Sequence, residues 1–96
     1  MEHKFIIISV DTRQSIDSDA MRKTMDNAVD WIQFFPNQWL LWTNSSTAMW
    51  FSRVRPIIGD DDKIIVWEVS SIHKSGNMPT SFWEFIKKYT DVSAAE

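Results

Sequence analysis

The chain has 96 residues, 44% of them hydrophobic and 24% charged, with a net charge of −3 and no cysteine. One domain accounts for that length. The composition excludes wholesale disorder, no apolar run approaches the roughly 18 residues of a membrane span, and the short apolar stretch after Met1-Glu2-His3-Lys4 is too brief for a secretory signal. Without cysteine there can be no disulfide or thiolate zinc site, and a cytoplasmic, reducing setting is expected. The acidic balance argues against tight, charge-driven binding of nucleic acid phosphates.

In chain order, Lys4-Phe5-Ile6-Ile7-Ile8-Ser9-Val10-Asp11 is short, apolar and β-branched, and reads as a central strand. A polar loop from Thr12 to Ser18 follows, in which Asp17 or Ser18 is placed to cap a helix. Met21, Met25, Ala28, Val29 and Ile32 recur at helical spacing, with Asp19, Lys23, Asp26 and Asp30 on the other side, which predicts an amphipathic helix of about three turns. Pro36-Asn37 then separates two aromatic-rich runs, Trp31 to Phe35 and Gln38 to Thr43, and predicts a β-hairpin. Because Pro36 cannot take positive φ, a primed two-residue turn is disfavoured and a wider loop is expected.

Asn44-Ser45-Ser46 offers capping side chains for a second helix with Trp50 and Val54 inward, which Pro56 should kink or end near Arg55. Gly59 and the acidic turn Asp60-Asp61-Asp62 precede a strong strand from Lys63 to Ser70. After a polar loop holding His73, Gly76 and Asn77, Pro79 opens a third helix with the apolar stripe Phe82, Phe85, Ile86 and Tyr89. Thr90 to Glu96 reads as a frayed tail, leaving an ordered core over about residues 4 to 89.

The order β-α-β-β-α-β plus one helix predicts an α+β, ferredoxin-like domain: a four-stranded antiparallel sheet with two helices on one face. Period-2 geometry, however, puts apolar side chains on both faces of the strands. Phe5, Ile7, Ile65, Trp67 and Val69 fall on the face that the two crossover helices cannot cover. Six tryptophans and six phenylalanines sharpen the problem, since a domain of this size buries only about two-thirds of its extended-chain surface. A homodimer joined through the sheet or its edges, with those five residues at the interface, is the favoured solution. The alternative is that the extra helix completes a monomeric core.

The segments Asn37 to Thr43, Ser46, Asp60 to Val69, and Gly76, Pro79 and Trp83 resemble the SinR-like small proteins, which are distinct from the helix-turn-helix repressor of the same name. That group is similar in fold to the VapD toxins and to the small ferredoxin-like CRISPR-associated proteins of spacer acquisition. The resemblance covers residues 4 to 89 in order of elements, and its motifs are more specific in the second half of the chain. It implies a homodimer and, for the members that are nucleases, a divalent-metal site built on an aspartate at the end of the first strand, the position of Asp11. The hydroxyl residue found near the start of the third strand in that group is replaced here by Asn37-Gln38.

Asp11 is accordingly the candidate catalytic and metal-ligating residue: beside its symmetry mate it could hold one Mg²⁺ with water in the remaining positions. Against this, Asp11 could cap the loop at Thr12-Arg13 or pair with Arg13. Asp60-Asp61-Asp62 lacks the spaced ligands of a calcium loop and reads as a solvated turn. Arg13, Arg22, His73 and Lys74 are the candidates for contact with a nucleic acid or another partner. There is no nucleophile motif, Gly-rich phosphate loop or dinucleotide fingerprint. Three functions are compatible with these readings: a homodimeric interaction module that binds another macromolecule without catalysis and needs no cofactor; a Mg²⁺-dependent nuclease using paired Asp11; and a phage-type acidic inhibitor of a host defence protein. The first is favoured, with a protein partner preferred over a nucleic acid and no membrane involved.

Overall fold

A computed structural model describes residues 2–70 and 74–94, with side chains placed through Thr90. Strands β1 (Lys4–Asp11), β2 (Asp30–Phe35), β3 (Gln38–Thr43) and β4 (Lys63–Val69) form one sheet in the order β2-β3-β1-β4. Every neighbouring pair is antiparallel. Helices α1 (Ser18–Met25), α2 (Thr47–Val54) and α3 (Thr80–Ala94) complete an α+β fold.

Strand alternation sorts the side chains into two cores. On the first face Ile6, Ile8 and Val10 of β1 and Trp39 and Leu41 of β3 pack against Met21 and Met25 of α1 and Trp50 and Val54 of α2. On the second face Phe5, Leu40 and Trp42 pack against Ile86 and Tyr89 of α3. Each core is held by aromatic and branched side chains of the kind that contribute about 1.5–3 kcal/mol apiece when fully buried. The long rings also lock to one another: Trp42 stacks on Tyr89 with centroids 5.2 Å apart, and Phe34 meets Phe82 at 5.4 Å.

Helix α1 is shorter than the spacing of its apolar residues predicts. Asp17 caps its start, accepting hydrogen bonds from the backbone N–H groups of Asp19 and Ala20. Its end tightens at Asp26–Ala28, where Asn27 N–H donates to the Thr24 carbonyl and Ala28 N–H to that of Met25. Val29 N–H then bonds the Trp42 carbonyl, so the chain has already joined the sheet. Ile32 lies in β2 and packs in the second core, not on α1. A strand that follows a helix closely can continue the i, i+4 spacing by coincidence, and the backbone bond to β3 outweighs it.

The Pro36-Asn37 loop also departs from expectation. Phe35 pairs with Gln38, so the loop is two residues long. Among the described residues none has positive φ, and the mismatch between such a turn and strand twist is taken up by an irregularity between Gln33 and Phe35. Helix α2 is capped by Ser46, whose hydroxyl accepts from Met49 N–H, and it passes into a 3₁₀ turn, Arg55–Ile57, at Pro56. Helix α3 begins directly after Pro79 and continues to Ala94, past the point where the sequence reading places a tail.

Candidate functional site

The sequence-derived candidates are dispersed. Asp11 ends β1, exposed on the second face and opposite Lys63 of β4. It lines a shallow depression of about 460 Å³ with Arg13, Gln14 and the turn Gly59–Asp62. Proximity to three more aspartates suggests a cation site, but the chemistry of the turn is otherwise engaged. Asp62 accepts from the Thr12 hydroxyl at 2.8 Å and from Gly59 N–H at 2.8 Å, and these hydrogen bonds, led by that of Gly59, hold its carboxyl below the usual carboxylate range. Arg55 clasps the same turn, donating to the carbonyls of Gly59 and Asp60 at 2.9 and 3.1 Å. Asp62 is thus an anchor that ties the β1–α1 loop to the turn before β4. Among the described residues no group of three or more His, Cys, Asp or Glu side chains could hold a metal ion.

The basic candidates do not converge. Arg13 lies by the acidic turn, Arg22 on α1 beside Asp19 at 3.9 Å, and Lys74 on the rim of a different groove. His73 lies outside the described residues. Arg53 is used structurally, stacked over the Trp50 ring at 4.7 Å and donating to Ser45 Oγ at 3.2 Å.

What the structure does bring together is apolar surface. Helix α3 lies toward the β2 side of the second face. There the Tyr89 hydroxyl donates to Asp30 Oδ2 at 2.6 Å, and Lys88 approaches the same oxygen at 3.8 Å. Burial, reinforced by the Asp30 carboxylate, pushes the Tyr89 phenol up to about 12. With α3 pinned at that edge, the other half of the face is left open. Of the five residues expected at a dimer interface, Phe5 is closed beneath α3 within the chain itself, Ile7 and Val69 are half-buried, and Ile65 and Trp67 stand 53% and 51% exposed. Phe35, at the hairpin end of the sheet, is exposed as well.

Between this open strip and the first turn of α3 runs a groove of about 440 Å³. Phe5 and Leu40 form its floor, Phe34, Phe82 and Trp83 stand along it, and Ser75 and Asn77 lie at its rim. A volume of this size with mostly apolar walls and a few polar rim groups has the character of a recognition groove. Sequence reasoning did not find it, because Phe34 and Phe82 are 48 positions apart and meet only through the lateral placement of α3. The apolar stripe of α3 was the visible signal; where it would lie on the sheet was not.

These features define the chain as a small α+β domain with an incompletely covered sheet. No protein family, curated protein or solved structure matches it.

Proposed function

We propose that this chain is a non-catalytic interaction module of ferredoxin-like type, self-associating and binding a second polypeptide through the second face of its sheet. The observation that carries this reading is the apolar surface left beside α3: the groove over Phe5 and Leu40 together with the open side chains Ile65, Trp67 and Phe35. A contiguous patch of that kind on a small chain is the usual mark of a contact surface. The ferredoxin-like assignment is supported by the sheet order β2-β3-β1-β4, with α1 and α2 on one face. The likeness to the SinR-like proteins remains part of the same proposal, as does a cytoplasmic setting, for which the absence of cysteine is the support. Among the described residues no helix is long and apolar enough to cross a membrane.

A displayed library of random peptides, selected against the wild-type chain, tests the binding half of the proposal. Peptides with bulky apolar anchors should be enriched, and their binding should be lost in Phe35→Lys, which places a charge at the mouth of the groove at an exposed position outside both buried clusters. Cleavage of labelled RNA or DNA that requires Mg²⁺ or Mn²⁺ and disappears in Asp11→Ala would overturn it in favour of a nuclease.

A further inference from the structure

Strand β4 is the terminal strand of the sheet, hydrogen-bonded to β1 on one side only. Natural sheets blunt such an edge with proline, a bulge, a very short strand or inward-pointing charge. β4 lacks the first three: it is seven residues long, its ladder with β1 runs without a register shift, and it contains no proline; its charges are confined to Lys63 at its start and Glu68 near its end. On its second-face side Ile65 and Trp67 are each about half exposed.

We infer that β4 pairs with β4 of a second copy of this chain, antiparallel and centred on Val66, so that two sheets become one of eight strands. The inference rests on the self-association proposed above and specifies its geometry. A two-fold axis perpendicular to the sheet keeps the second faces of both copies on one side, which permits only every second register. Centring on Val66 pairs all seven residues of the strand: Lys63 with Val69, Ile64 with Glu68, and Ile65 with Trp67. Both exposed apolar side chains of the edge then meet, Ile65 of each copy opposite Trp67 of the other, the aromatic–β-branched pairing that stabilises sheets. No like charges stand opposite one another. Centring on Ile65 instead sets Asp62 against Glu68 twice, and like charges directly opposite are destabilising. Centring on Trp67 shortens the overlap to residues 65–69 and sets Ile65 against Val69. The strand is therefore self-complementary in one register.

The absence of cysteine makes the test clean. In this register the two Val66 Cα atoms lie about 4.5–5.5 Å apart, as directly opposed antiparallel residues do, within the span of about 4.4–6.8 Å that a disulfide bridges. Lys63 and its counterpart lie six residues apart along the ladder, about 20 Å. Under mild oxidation Val66→Cys should form a covalent dimer and Lys63→Cys should not. Light scattering should give the wild-type chain twice its 11.3 kDa and Trp67→Lys half of that dimer mass, with the far-ultraviolet spectrum of the variant unchanged. A wild-type dimer in which Val66→Cys crosslinks no faster than Lys63→Cys would overturn this joint while leaving self-association standing. A wild-type mass of 11.3 kDa at all concentrations would overturn both. Binding of an extended peptide along β4 by a chain that stays monomeric would assign the edge to a different partner and overturn the inference as well.

Discussion

Thr43 and Trp50 offer the sharpest test of how the first core is held. Both are almost fully buried, at 1% and 0% exposure. The indole Nε1–H donates to Thr43 Oγ1 at 3.1 Å, and the same oxygen accepts from Ser45 N–H at 3.1 Å. Thr43→Val preserves shape and strand propensity but removes the acceptor. The orphaned indole N–H then costs about 1–3 kcal/mol and the lost bond to Ser45 about 0.5–1.5. An extra buried methyl returns about 0.8 kcal/mol, so the expected net loss is about 1–4 kcal/mol, a substantial part of the stability of a domain this small. In a Trp50→Phe background there is no indole N–H to strand, and the same Thr43→Val change should cost less than about 1 kcal/mol. Urea unfolding of the four chains, at one fixed protein concentration because self-association would add to the midpoint, measures the difference between the two costs. A difference below about 0.5 kcal/mol, the usual scatter of independent sites, would refute the hydrogen-bond argument and leave packing alone as the explanation.

Two further predictions concern titrating anchors. The Tyr89 phenol has its pKa raised from 10.0 to about 12, so its bond to Asp30 stabilises the fold fully below pH 10 and is lost as pH rises toward 12. The stability gap between wild type and Tyr89→Phe, about 1.5–3 kcal/mol for a hydrogen bond to a carboxylate, should be flat below pH 10 and close above it; a gap that widens with alkali would contradict the assignment. Asp62 is shifted the other way, below 3.8, so its contribution is present above that pH and disappears as pH falls through the folded value. Asp62→Asn should destabilise near neutrality and converge with wild type in acid, measured as urea midpoint against pH. Parallel curves would show that the carboxylate does not anchor the turn.

The sequence carried the sheet well, for a physical reason. The runs Lys4–Asp11 and Gln38–Thr43 are continuously apolar and rich in β-branched or aromatic residues, so their bounds were legible, and period 2 then divides their side chains between two faces. Pro36-Asn37 and Pro56 marked the hairpin and the end of α2 because proline acts locally. Errors appeared where local pattern and long-range pairing compete. Met21 to Ile32 keep helical spacing, yet the bond from Val29 to Trp42 pulls the second half into the sheet. The acidic turn is largely exposed, as its composition suggests, but nothing in Asp60-Asp61-Asp62 announces that the third carboxylate will meet Thr12, fifty positions earlier. The groove was illegible for the same reason: it depends on where α3 settles, which the Tyr89–Asp30 bond and the aromatic contacts decide jointly. Asp11 and the basic candidates could be named from sequence, but their separation in space could not.

The absence of any positive φ among the described residues has an evolutionary consequence. In many small domains a few glycines are irreplaceable because only they can turn the chain through left-handed backbone. Here the two-residue hairpin, the clasped acidic turn and the helix ends all use backbone conformations open to ordinary amino acids; Gly59 is held by space rather than by φ, since a Cβ there would stand 3.2 Å from Asp62 Oδ2. Loop positions outside the Thr12–Asp62 anchor and the helix caps therefore carry no requirement for glycine, and descendants of a common ancestor would share few glycine landmarks between their strands. What drift must respect is the two-sided apolar character of β1 and β3 and a buried hydroxyl seven positions before a buried tryptophan. A relative that required glycine at these turns would contradict that view; one that kept only the two-sided apolar strands and the Thr–Trp pair would illustrate it.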